Sequence, residues 1–203
     1  MKIFCVAANY PKHNAELNFK KPENPVFFLK PETSYLRNNS DFYIPDFAQN
    51  FEYEAEIVVR ICKLGKAVPV NFAHKYYDAI TVGLDITARD LQKKYMDQGL
   101  PWFLSKGFDN AAPVGDFVPL SDFDNIDNIN FSLDVNQKRV QTGCTSDMIF
   151  KVDEIVSYIS QFVTYKTGDL IFTGTPAGVG PLKIGDVCRG FINDKSVLNI
   201  NVK

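Results

Sequence analysis

The sequence predicts a strand-dominated α+β domain. Short runs rich in Ile, Val and Phe recur along the chain, while amphipathic helical stripes are few. The two do not alternate regularly, which disfavours a doubly wound α/β fold. At 203 residues, 45% hydrophobic and 23% charged, the composition fits one ordinary globular domain over 1–203, with no internal repeat or linker to divide it.

The strand signals, in order, are IFCVAA (3–8), PVFFLK (25–30), FEYEAEIVVR (51–60), AITVGLDI (79–86), NINFSLDVN (128–136), DLIFTG (169–174) and VLNINVK (197–203). Ile129, Phe131, Leu133 and Val135 alternate cleanly, as do Leu198, Ile200 and Val202, so each set predicts one apolar strand face. Helical signals cover 72–79 after Asn71 and 87–98 after Thr87, where Asp90 suggests a capping box. A third helix is expected over 153–165, capped by Asp153, with Ile155, Ile159, Phe162 and Val163 on its apolar stripe. Pro11 suits the first turn of a short helix carrying His13. SDFDNIDNI at 121–129 reads as a solvated turn.

Charge and cysteine usage narrow the function classes. A net charge of -2 gives no reason to expect nucleic acid or an anionic membrane as partner, and no run is apolar enough to span a bilayer. MKIFCVAANY has too short an apolar stretch for a secretory signal. Cys5, Cys62, Cys144 and Cys188 are scattered singly, which predicts reduced thiols in a cytoplasmic protein and neither disulfides nor zinc.

In FEYEAEIVVR, Glu52, Glu54 and Glu56 alternate with Phe51, Tyr53, Ala55, Ile57 and Val59. A half-buried strand would point the acids to one face, about 7 Å apart along the chain. At that distance two like charges repel by roughly 2 kcal/mol in a medium of effective dielectric ~20. A solvated face accommodates this by splaying the side chains, and it explains the three acids taken alone. Asp85 changes the weighing, because it ends an apolar run where an unpaired carboxylate is costly. Pairing with Arg89 or capping of the next helix would satisfy it. Convergence with two of the glutamates would instead make a site of hard oxygen ligands suited to Mg²⁺, Mn²⁺ or Ca²⁺.

Other residues allow the same two readings. Arg89 and Gln92 share a helix face, either solvated like Lys93 and Lys94 or turned to an anionic ligand. Lys106 lies among Phe103, Leu104 and Phe108, and either snorkels to water or neutralises an anion. Glu16 falls one turn after His13, either as a surface pair or as the carboxylate that orients a base. His74 has no such partner and reads as structural. GTPAGVG (174–180) lacks the Walker lysine and the full dinucleotide pattern, and no nucleophile elbow is present.

Taken in chain order, NYPKHNAEL, PVFFLKP, EAEIVV, GLDITARDLQ, LPWFLSKGFD, QTGCTSDMIF and GDLIFTGTPAGVGP resemble the fumarylacetoacetate hydrolase family, above all its small acylpyruvase and fumarylpyruvate hydrolase-like branch. The resemblance implies a mixed β-sheet roll with a few short helices, of the kind found in that family's C-terminal domain, and a homodimer. It implies Glu54, Glu56 and Asp85 as ligands of Mg²⁺ (Mn²⁺ or Ca²⁺ being alternatives), with His13 and Glu16 as a water-activating dyad. Lys106 would stabilise developing negative charge, and Arg89, Gln92, Gly174 and Thr175 would contact substrate. Lys30 falls on a matching lysine of open role, and Glu52 lies outside the matching pair. Two departures are visible. Ala7–Ala8 stand where many relatives carry Gly-Arg, and the chain opens almost at the His-Glu motif, which implies a version without the N-terminal domain of the larger fumarylacetoacetases.

The activity so implied is hydrolysis of a C–C bond in a β-diketo acid of acylpyruvate or fumarylpyruvate type. Oxaloacetate decarboxylation and 2-hydroxy-dienoate isomerisation or tautomerisation would use the same residues. A non-catalytic domain binding a dicarboxylate or a metal is the alternative of another class.

Overall fold

The computed structural model describes residues 1–17 and 19–203. The strands form three sheets. The largest runs Val26–Lys30, Ile3–Ala7, Leu170–Phe172, Ala55–Ile61, Tyr77–Leu84, Ala112–Val114 and Tyr35–Arg37, with Val118–Pro119 paired off Tyr77–Leu84. Two of its pairings are parallel (Ile3–Ala7 with Leu170–Phe172, Tyr35–Arg37 with Ala112–Val114) and the rest antiparallel, so the sheet is mixed. A four-stranded antiparallel sheet orders Lys138–Cys144, Asn130–Val135, Val187–Ile192 and Lys195–Asn201. The third is small: Gly180–Pro181, Phe51–Tyr53 and Thr87–Ala88. Helices are short, and among the described residues none is long and apolar enough to cross a membrane.

The strand expected over 51–60 is two strands. Phe51–Tyr53 belongs to the small sheet and Ala55–Ile61 to the large one, with Glu54 at the joint. Its neighbour breaks in step, because Tyr77–Leu84 ends before Asp85 and Thr87–Ala88 continues in the small sheet. Ala55 pairs with Leu84 on one side of the joint and Glu52 with Thr87 on the other. The register therefore carries through and sets Glu54 opposite Asp85, whose amide donates to the Glu54 carbonyl at 2.8 Å. Nor is the acid face wet. Glu54 and Glu56 are buried, and Glu52 is only partly exposed.

Three helix expectations are corrected. Over 72–79 the chain makes a 3-10 turn, Val70–Lys75, and then enters the strand Tyr77–Leu84; His74 on that turn is exposed. The helix expected over 87–98 spans Arg89–Asp97, uncapped by Thr87, whose hydroxyl is held by Lys106 and the Asp85 carbonyl. Asp90 accepts from the Gln49 amide instead of closing a box. The last helix is Val152–Phe162, where the Glu154 carboxylate accepts from the Lys151 amide and Asp153 takes the Tyr77 hydroxyl. Its buried stripe is Val152, Ile155, Val156 and Ile159, and Phe162 faces outward. Thr87, Asp90 and Asp153 are each claimed by a tertiary partner in place of the cap that the local pattern assigns them.

Candidate active site

Strand geometry brings the three acids together. Glu54 and Glu56 are two apart on one strand line, and Asp85 lies across from Glu54, so all three project from the same face. One carboxylate oxygen from each lies within 4.8 Å of the others. All three side chains are buried.

Cations surround two of the acids. Lys106 Nζ, itself buried, donates to Glu54 Oε2 and Asp85 Oδ2 at 2.8 Å each and to Thr87 Oγ1 at 2.5 Å. Asp85 thus pairs with lysines rather than with Arg89. Its second oxygen lies 2.7 Å from Lys30 Nζ, close enough for an ion pair but out of line for a hydrogen bond. Lys30 donates instead to the carbonyls of Ala111 (2.8 Å) and Ile86 (3.2 Å), in the segment that follows Asp85 and the one packed beside it. Arg89 spans the other edge, donating to Glu54 Oε1, Gln92 Oε1 and Glu52 Oε2 at 2.5, 2.5 and 2.7 Å. Glu52, outside the matching pair of acids, therefore has a job: it anchors the arginine.

Glu56 differs from its neighbour. Burial raises its carboxyl well above the usual range, and the charges of Asp85 and Glu54 add to this. Its hydrogen bond comes from the Gly174 amide at 2.6 Å. Among the described residues no cationic side chain lies within ion-pair distance of it. Burial acts on Glu54 in the same direction, but Lys106 and Arg89 outweigh it and hold that carboxyl at about 2. The same acids raise the Lys106 ammonium against its own burial. Three buried carboxylates, one of them without a cationic partner, form an all-oxygen donor set that fits a hard divalent cation.

The His13 segment packs on the opposite wall. Asn9 ties it down, donating to the carbonyls of Thr173 (2.8 Å) and Phe150 (3.1 Å) and accepting from the Phe150 amide. Pro11 opens the short helix Pro11–Glu16 as expected. His13 is buried, with Nδ1 3.4 Å from Glu16 Oε2, and Glu16 accepts from the Gly178 amide at 3.2–3.3 Å.

One cavity of about 40 Å³ gathers His13, Glu54, Glu56, Asp85, Arg89, Gln92, Lys106 and Thr175. The helix face carrying Arg89 and Gln92 is thus not a solvated one; Gln92 is buried. Two of the candidate residues stand behind this lining. Glu16 reaches the cavity only through His13, and Gly174 spends its amide on Glu56. Thr175 donates to the Ala55 carbonyl and accepts from Gln141. Ala7 and Ala8 do line the wall, and the cationic side chains there are Arg89 and Lys106. Sequence reasoning missed the apolar side, Phe28 and Trp102 with Leu17 and Phe19. The single tryptophan beside the motif lysine was the available signal.

Two predictions arise here. Gly174 sits at φ +102°, and a Cβ on it would lie 2.7 Å from Asn9 Cβ. Gly174→Ala should therefore cost about 1–3 kcal/mol, read as a lower urea midpoint, together with a loss of kcat as the His13 segment is pushed. Lys30→Met removes a fully buried charge from Asp85 and leaves that carboxylate short of a partner. It should lower stability by about 3–5 kcal/mol, measured by urea unfolding.

Comparison with known proteins adds four likenesses. The family model described as fumarylacetoacetate (FAA) hydrolase C-terminal matches residues 2–203. The mitochondrial oxaloacetate tautomerase FAHD1 of Arabidopsis thaliana is 40% identical over 202 residues, 100% of this chain and 91% of that protein. The Escherichia coli K12 oxaloacetate tautomerase YcgM is 39% identical over 186 residues, 91% of this chain and 85% of that one. The crystal structure of fumarylpyruvate hydrolase from Pseudomonas aeruginosa, in complex with Mn²⁺ and pyruvate, has a TM-score of 0.94 at 35% identity, covering 100% of this chain and 89% of that chain.

Proposed function

This chain belongs to the fumarylacetoacetate hydrolase family, and from that premise we propose that it catalyses keto–enol tautomerisation of oxaloacetate or a close 2-oxo acid, with a divalent cation as cofactor. The observation that carries the reading is the buried Glu54–Glu56–Asp85 cluster sharing one cavity with His13, Arg89 and Lys106. The names of the plant and bacterial tautomerases, at 39–40% identity, support the reaction over hydrolysis.

Glu54, Glu56 and Asp85 would hold the cation, Mg²⁺ by preference, which supplies the Lewis acidity that makes a C–H beside the substrate carbonyl acidic. Lys106 and Arg89 are paired with these acids in the structure; competition for the same oxygens would turn them toward the anionic substrate. An Nδ1–H directed at Glu16 leaves His13 Nε2 as the base that takes the proton from C3. Lys106 stabilises the negative charge that then develops on the substrate oxygen, that oxygen takes up a proton to complete the enol as His13 releases its own to solvent, and Gln92 orients the substrate. Gly174 acts by holding Glu56, while Thr175 both holds the Ala55 backbone and lines the cavity where it can contact substrate.

C–C hydrolysis of an acylpyruvate or fumarylpyruvate is the second reading. The His13–Glu16 pair favours it, since the same base can deprotonate water, and the Pseudomonas hydrolase shares the fold. A homodimer and a cytoplasmic location belong to the proposal as well. The latter rests on cysteines scattered singly, although the plant relative's name places that protein in mitochondria.

Product analysis with oxaloacetate, acetylpyruvate and fumarylpyruvate in the presence of Mg²⁺ separates these readings. Tautomerisation predicts accelerated enol–keto exchange of oxaloacetate with little loss of the C4 acid. Pyruvate from either diketo acid at a higher kcat/KM would support hydrolysis instead. Oxalate binding without turnover of any of the three would mean a binding domain.

A further inference from the structure

The cavity has one charged side and one aromatic side. Phe28 and Trp102 pack at a tilt of 52° with ring centroids 5.6 Å apart, and the Phe28 ring lies 5.6 Å from Lys106 Nζ. On their far side runs a groove lined by Phe27, Phe28, Leu29, Pro101, Trp102 and Phe103, with Lys106 at its inner edge. Phe28, Trp102 and Lys106 line the cavity as well, so the groove adjoins it across the aromatic pair. Leu29 and Phe103 are exposed there, at 40% and 53%. Among its described lining residues the sole charge is Lys106, at the inner edge that the groove shares with the cavity, where it serves the oxo-acid end. Nothing in the groove would greet a second carboxylate.

We propose that this groove receives the apolar tail of the substrate, so that the enzyme takes 2-oxo acids bearing an alkyl or aryl substituent and holds the tail between Phe28–Trp102 and Leu29–Phe103. This rests on the proposed function for the oxo-acid end and extends it to a substrate class that oxaloacetate does not represent. Apolar surface gains from leaving water in proportion to its area, so each methylene seated in the groove should tighten binding roughly threefold to fourfold. A groove that merely forms part of the outer surface would give no such slope.

The test is calorimetric titration of the full chain, in saturating Mg²⁺, with pyruvate, 2-oxobutanoate, 2-oxohexanoate and 2-oxooctanoate, and with oxalate as the reference for the charged end. The expected result is a Kd that falls along the series by about threefold or more per methylene. Phe103→Ser and Leu29→Ser, both exposed positions, should reduce the slope to below twofold; the slope is a ratio within one protein, so a general loss of binding does not mimic it. Oxalate binding with a flat series overturns the groove proposal and leaves the proposed function standing. A flat series together with a dimer that Phe103→Ser dissociates in sedimentation overturns it in favour of a second copy as the occupant. Failure of oxalate and every oxo acid to bind overturns the proposed function, and the groove proposal with it.

Discussion

Asp85→Asn should abolish the response to divalent cation and reduce kcat/KM by at least about 10²-fold, more than the loss typical of residues that only orient metal ligands. The substitution keeps the side chain's shape and removes its charge. Asp85 is held between two lysines, with Lys30 at 2.7 Å and Lys106 at 2.8 Å, so the loss is felt on both sides. Divalent affinity falls because two carboxylates replace three in a buried site. Stability falls too, because Lys30 keeps its carbonyl partners but loses its counter-charge. Thermal unfolding with and without Mg²⁺ separates the effects: the wild type should gain several degrees from Mg²⁺, whereas the variant should start lower and gain almost nothing.

His13→Ala should lower kcat by about 10²–10⁴-fold, the range for loss of a positioned general base. Its signature differs from that of Asp85→Asn, since Mg²⁺ should stabilise the variant as it does the wild type. His13 touches none of the three acids by hydrogen bond, and its partner Glu16 is held from the other side by Gly178. Single-turnover kinetics at saturating Mg²⁺ would reveal the drop. A variant with near wild-type kcat would move the base elsewhere in the cavity and leave the cation site untouched.

The legible and illegible parts of this chain divide along physical lines. Apolar runs report burial, so the strands at 3–7, 26–30, 130–135 and 170–172 were readable within a residue or two. The break at Glu54 was not, because alternation continues across the joint and a strand leaving one sheet for another keeps its period. That break matters, since it sets Glu54 opposite Asp85. The acids were legible as candidates, but their burial was not: three carboxylates on one face look wet until the lysines that compensate them are known. Lys30 and Lys106 come from remote segments, and only folding brings their charges to Asp85. The helix starts failed for the same reason, as Thr87 and Asp90 had caps to offer and found tertiary partners instead.

The central claim, that the acid cluster serves enolisation of a small oxo acid, is tested most directly by stopped-flow absorbance of enol-oxaloacetate. The protein is first freed of metal and then mixed with the enol, with and without Mg²⁺. Because Mg²⁺ alone speeds the exchange, Asp85→Asn at the same concentrations is the baseline. The account predicts enol decay well above that baseline only when wild-type protein and Mg²⁺ are both present, and before any pyruvate appears. Equal decay rates with the wild type and with Asp85→Asn would contradict it.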